Sequence, residues 1–145
     1  MSARPHIDEI LESFELLDDW EDRYAYLIDL GKHVEGLPPE LKTEEARVKG
    51  CTSQVWLVWR VEGEGAEARV MFEGDSDAHI VRGLVSVLLS AYSGRMPAEI
   101  LSLDVEALFR RLGLERNLSV SRRNGFFSMV ERVRQVAVRL MDISR

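Results

Sequence analysis

Apolar residues recur along this chain with two different periods, and the change from one to the other lays out the elements. Ile7, Ile10, Leu11, Phe14 and Leu17 stand three or four apart, which predicts an opening amphipathic helix. Asp18 with Glu21 three residues on has the form of a capping pair. A short acceptor takes orphan N–H groups and an acid sits near the helix's positive end, so a second helix is expected from about Asp19. It would bury Trp20, Tyr24, Leu27 and Ile28, end between Gly31 and Gly36, and be stopped by Pro38 and Pro39.

The period then shortens to two. After a loop over residues 37–45, a strand is expected from Gln54 to Val61, with Val55, Leu57, Trp59 and Val61 on one face. Trp56 and Val58 make the other face partly apolar, so part of it should be covered. Gly63 and Gly65 mark a hairpin turn, and Val70 and Phe72 alternate along a return strand from Arg69 to Glu73. That strand should stop at Gly74-Asp75-Ser76-Asp77, whose acceptors suit the cap of the next helix.

Helical spacing returns at Ala78 and runs to Tyr92 through Ile80, Val81, Leu84, Val85, Leu88 and Leu89, the expected central core helix. Gly94 ends it and Pro97 opens a short successor. Asp104 caps another short helix that buries Val105, Leu108, Phe109 and Leu112 and stops at Gly113. Ser121 is the expected cap of the last helix, whose buried line is Phe126, Met129, Val130, Val133, Val136 and Leu140. Helices, hairpin, helices is the order of an α+β fold, with helices packed on a small antiparallel sheet. No repeat or low-complexity tract interrupts it.

Composition narrows the class. A chain of 145 residues is expected to form one domain over 1–145, large enough to bury about 68 to 70% of its unfolded surface. No apolar run suggests a membrane span, and acids stand where a secretory signal would be apolar. A lone cysteine fits a reducing cytoplasm. The net charge of −6 argues against nucleic acid as partner. It is uneven: residues 110–145 carry nine Arg against three acids, a net +6, while the first 109 carry −12. Such asymmetry suits steering of a protein partner, although two solvated helix faces account for it as simply.

The candidate chemistry is at Cys51. Free cysteines are more often buried and inert, but this one follows Gly50, which permits a tight turn, and precedes the small Thr52 and Ser53. Of His6, His33 and His79, only His79 is placed to approach it as a base, and a helix-surface role accounts for that histidine as readily. One cysteine and three scattered histidines do not make a metal site or a self-contained iron–sulfur site. The glycines form no phosphate-binding fingerprint.

Three segments in order, RVKGCTSQVW at 47–56, EGDSDAHIVRGL at 73–84 and SRRNG at 121–125, resemble the SufE family of sulfur acceptors, including its CsdE branch; DDWEDRYAYLIDLGKHV at 18–34 is similar to the family's second helix. The resemblance implies a fold like that of IscU-type scaffolds and a role beside a pyridoxal-phosphate cysteine desulfurase. Cys51 would take the desulfurase's persulfide sulfur, stimulate its turnover and pass the sulfur to an iron–sulfur scaffold complex. The chain would need no cofactor of its own, and whether it forms a homodimer is open. Lys49 and Arg122 would favour the thiolate by charge, Gly50, Thr52 and Ser53 would let the partner approach, and the loop would shelter the thiol between transfers. By resemblance Asp75 holds the loop or meets the desulfurase, with helix capping the other reading of it. Ser121, Arg122, Asn124 and Gly125 match the late motif, where the arginine is a candidate for partner contact. One departure is Ala46, where many members have asparagine, so a loop-fixing bond from that side chain is missing here. The rivals are an iron–sulfur scaffold, a thiol enzyme using Cys51 and His79, and a regulatory binding module.

Overall fold

The structure, a computed structural model, describes residues 6–143. The segment weighed for a secretory signal therefore lies partly outside the described residues, as does Arg145 of the basic C-terminal third. Seven helices pack on one antiparallel hairpin among the described residues, the α+β class expected. They are α1 (Ile7–Leu16), α2 (Trp20–Lys32), α3 (His79–Tyr92), α4 (Pro97–Ser102), α5 (Val105–Arg111), α6 (Leu114–Asn117) and α7 (Val120–Ile143). The strands are β1 (Val55–Glu62) and β2 (Arg69–Ser76), in a register that pairs Val55 with Ser76 and Glu62 with Arg69. No helix of the described residues is long and apolar enough to cross a membrane.

The core gathers around α3, where Ile80, Leu84, Val85, Val87, Leu88, Leu89 and Tyr92 are all buried. This helix packs against α2, β2 and α7. Its crossing with α2 is very close, because an added Cβ on Gly83 would stand 2.2 Å from the Leu27 carbonyl oxygen and one on Gly31 2.8 Å from the Gly83 nitrogen. Two facing glycines thus set the separation of the two helices.

Several local expectations are corrected. Asp19, not Asp18, caps α2, its Oδ1 accepting from the Glu21 N–H at 2.8 Å, because the helix starts at Trp20. Trp20, Tyr24 and Ile28 are half-buried, and Leu27, Leu30 and Gly31 form the buried line. Strand β2 continues through Gly74, Asp75 and Ser76, whose polar side chains find partners inside the protein. Ser119 rather than Ser121 caps α7, accepting from the Arg122 N–H at 3.2 Å, since the helix opens at Val120. Helix α6 was not foreseen. The far half of the hairpin projects beyond the helices, so Trp59 and Val61, expected on one face with Val55 and Leu57, are 38% and 40% exposed while those two are buried.

A short arm over residues 46–48 runs beside the first residues of β1. The Val48 N–H donates to the Val55 carbonyl at 2.8 Å, and the Leu57 N–H donates to the Ala46 carbonyl at 2.9 Å. The segment between, residues 49–54, is thereby closed into a loop at its base.

A Gly83→Ala variant should lose about 2 to 3 kcal/mol of stability, since the methyl meets backbone that cannot yield. Denaturant unfolding checks this, and a loss of less than about half a kcal/mol would contradict the close crossing.

Candidate functional site

The loop that carries Cys51 lies along one face of α7. Gly50 has φ +90°, a conformation L side chains rarely adopt, and a Cβ there would come within 2.6 Å of Ser128 Oγ. The chain can turn and press against α7 only because that atom is missing. One residue on, the Cys51 thiol donates to the Gly125 carbonyl at 3.4 Å. An added Cβ on Gly125 would stand 3.5 Å from Sγ, so a methyl would just fill the gap and anything larger would displace the cysteine. Beyond it, the Thr52 and Ser121 hydroxyls hydrogen-bond to each other. Ser121, Gly125 and Ser128 recur at helical spacing, a stripe of small residues that matches the loop step by step.

The trailing end of the loop is tied to the end of β2. The Gln54 N–H donates to Asp77 Oδ1 at 3.1 Å, and the Ser76 hydroxyl donates to the Gln54 carbonyl at 2.7 Å. Beneath the loop is a cavity of about 30 Å³. Val81 and Leu84 of α3 and Phe126 and Met129 of α7 line it together with Cys51, and the exposed Arg122 contributes at its edge. That volume suffices for roughly one or two small atoms.

Cys51 is half-buried, and burial pushes its thiol above the ordinary range. In this conformation the sulfur is a neutral, weakly nucleophilic thiol at neutral pH. The expected residues do not all gather around it. Thr52, Ser53, Ser121, Arg122 and Gly125 line the cavity with it. Lys49 faces a neighbouring groove with Arg47, Ser128 and Glu131, and His79 is absent from the cavity lining.

Asp75 is buried elsewhere, where it anchors the loop after α2. Its Oδ2 accepts from the Leu37 N–H at 3.1 Å and lies 3.2 Å from Lys42 Nζ, which also sits 5.1 Å from the centroid of the Trp56 ring. Its Oδ1 accepts from the Ser76 N–H at 2.8 Å, and Arg82 Nε approaches to 3.4 Å, an ion pair without hydrogen-bond alignment. Burial pushes this carboxyl up, but the two N–H groups, Lys42 and Arg82 outweigh it and hold the group below the usual carboxylate range. Capping of α3 is not its role in this geometry. The sequence reading missed the contributions of Ser128, of Asp77 to the loop's end, and of the Gly125 carbonyl. The spacing of 121, 125 and 128 was the available signal, but nothing in it says that a distant loop lies there. Among the described residues no group of three His, Cys, Asp or Glu stands close enough to hold a metal ion.

The family model described as SufE, Fe-S metabolism associated domain, matches residues 8–137. The chain belongs to the SufE family. Similar curated proteins include an uncharacterised SufE-like protein of Rhizobium etli, 51% identical over 131 residues that cover 90% of this chain and 88% of that one. A second, from Rhizobium meliloti, is 45% identical and covers 90% and 94% of the two chains. A solution structure of a hypothetical protein from Thermus thermophilus superposes with a TM-score of 0.69 at 23% identity, covering 97% of this chain and 98% of that one, a likeness of fold. Membership associates the chain with iron–sulfur metabolism.

The sign of the Asp75 contribution follows from its depressed pKa. Its stabilisation is complete above the unfolded carboxyl's range, about pH 4, and is lost as pH falls through the lower folded value. Asp75→Asn should therefore cost about 2 kcal/mol at about pH 7, because it leaves Lys42 and Arg82 beside no counter-charge, and the cost should shrink on acidification below about pH 4. Urea unfolding of both proteins across that range checks it; an unchanged difference at low pH would contradict the assignment.

Proposed function

We propose that this SufE-family chain is a sulfur acceptor that carries a persulfide on Cys51, taking the sulfur from a cysteine desulfurase and delivering it to an iron–sulfur scaffold complex. The observation that carries the reading is the placement of its one cysteine on a closed loop, with the thiol hydrogen-bonded to Gly125 above a small, mostly apolar cavity. A permanently exposed nucleophile has no use for such shelter. A carrier has, because a persulfide is readily lost to other thiols and oxidants.

The transfer needs no external oxidant. The Cys51 thiolate attacks the outer sulfur of the donor's Cys–S–SH, a new S–S bond forms as the old one breaks, and the donor cysteine leaves as a thiolate. Cys51 becomes the persulfide and the desulfurase is free for another turnover, which is how the chain would stimulate it. Burial keeps the Cys51 thiol protonated in the closed loop, so attack requires the loop to open and release its proton. Closing again would place the terminal sulfur over the cavity under Cys51, whose volume of about 30 Å³ has room for one added atom.

The flanks suit two-protein chemistry. Thr52 is exposed and small, Ser53 is half-buried, and Arg122 is an exposed cation at the cavity's edge, placed to meet the partner or favour the thiolate once the loop opens. Lys49 is exposed on the other side of the loop and would contact the partner there. Asp75 acts at one remove by fixing the loop after α2. The whole chain is read as one SufE domain, acting in the cytoplasm without a cofactor of its own, the pyridoxal phosphate being the desulfurase's.

Incubation with a cysteine desulfurase and free cysteine should add one reductant-labile sulfur, about 32 Da, to the wild type and none to Cys51→Ser, as read by intact mass. A wild type that gains no mass from any desulfurase that charges other acceptors would defeat the reading.

A further inference from the structure

Arg132 stands one helical step beyond Ser128 on α7, outside the cavity under Cys51, yet it reaches the same loop from its other end. Its guanidinium donates from Nη1 to the Arg47 carbonyl at 3.3 Å and from Nη2 to the Glu45 carbonyl. These two carbonyls alternate with that of Ala46, which accepts from the Leu57 N–H on the opposite side. The arm leaves a turn over residues 44–46 and bridges β1 at Arg47, so it has β1 on one side and a guanidinium fork on the other. Ala46 contributes only backbone here, its N–H donating to Thr43 Oγ1 at 3.1 Å, and the fork ties the carbonyls on either side of it.

The leading end is then fixed on both edges up to Val48, and the trailing end is fixed at Gln54 by Asp77 and Ser76. Between these posts, among the described residues, residues 49–53 are held by two hydrogen bonds, from the Cys51 thiol to Gly125 and between the Thr52 and Ser121 hydroxyls. Gly50 sits within that stretch in its left-handed conformation.

We propose that Arg132 is a positioning residue for Cys51. It makes the arm a fixed post, so that opening is confined to residues 49–53 and returns the sulfur to the same place on α7. Without the fork the arm is held by β1 alone, opening spreads into it, and the shelter over Cys51 weakens. The inference deepens the persulfide-carrier reading and rests on it for its biological meaning. Its test does not use a desulfurase, so the two fail separately: the carrier reading by absence of sulfur uptake, this one by the behaviour of the free protein.

The experiment is the rate of Cys51 alkylation by iodoacetamide at fixed pH, read beside the melting temperature, in wild type, Arg132→Ala, Arg132→Lys and Val133→Ala. The last removes buried apolar volume from the same helix without touching the arm's carbonyls. Loss of two charge-assisted hydrogen bonds should speed alkylation about tenfold in Arg132→Ala, while lysine, a single donor point, restores part of the protection. Hydrogen exchange should rise at the Val48 and Leu57 amides in Arg132→Ala and stay unchanged there in Val133→Ala. Should Arg132→Ala fail to fold, Arg132→Lys alone decides, with alkylation several-fold above wild type expected. Alkylation at the wild-type rate, or an increase matched by Val133→Ala at equal loss of melting temperature, would overturn the proposal.

Discussion

Everything at the candidate site depends on how closely one loop approaches one helix. The segment from Arg47 to Thr52 lies against α7 with almost no side-chain volume between them, because Gly50, Gly125, Ser121 and Ser128 leave space for backbone and sulfur. The arm's backbone pairs with β1 on one side and with Arg132 on the other, while the loop tip is held through side chains, the Cys51 thiol on the Gly125 carbonyl and the Thr52 hydroxyl on that of Ser121. Few of these bonds hold the tip itself. Its attachment is therefore local and weak, while the frame that presents it is firm.

That frame is built from the hairpin and α3. The register of β1 on β2 sets Gln54 beside Ser76 and Asp77, which fixes where the loop ends. Helix α3, placed by its glycine contact with α2, brings Val81 and Leu84 under the loop. Asp75, one residue before the tie at Ser76, binds Leu37, Lys42 and Arg82 and so joins the sheet's end to the chain leaving α2. Burial with little charge nearby leaves Cys51 a neutral thiol, whereas burial with two cations and two N–H groups makes Asp75 a persistent carboxylate. The same desolvation produces opposite outcomes because the partners differ.

Much of the fold was legible because its elements carry strong periodicity. The stripe from Ile80 to Tyr92 marks α3 without ambiguity, and alternation at Val55, Leu57, Val70 and Phe72 marks the hairpin. What failed was local. Asp18 and Ser121 looked like caps, but a neighbouring Asp19 and Ser119 hold those positions, since sequence does not fix a helix start to the residue. Trp59 and Val61 fit the pattern of a buried face, yet pattern cannot say how far the helices extend over a strand. Of the site, Cys51 was legible from its loop chemistry and from the family motif; the roles of Ser128, Asp77 and Arg132 were not, because each acts on a segment remote from it in the chain. Ala46 shows the limit most clearly: sequence told only that a loop-fixing bond from an asparagine is missing there, whereas an arginine from the far end of the chain holds the same arm.

The structure holds Cys51 half-buried, with burial pushing its thiol up, and the chemistry proposed for this chain requires that a partner draw the loop open. The most direct test is the pH profile of its alkylation, in the free protein and in the presence of a cysteine desulfurase whose own active-site cysteine has been replaced by serine. The free protein should show a midpoint above that of an unperturbed thiol, and saturating partner should bring the midpoint down and raise the rate at neutral pH. A free-protein midpoint at or below that of an ordinary thiol would contradict the account, as would a profile that a bound partner leaves unmoved.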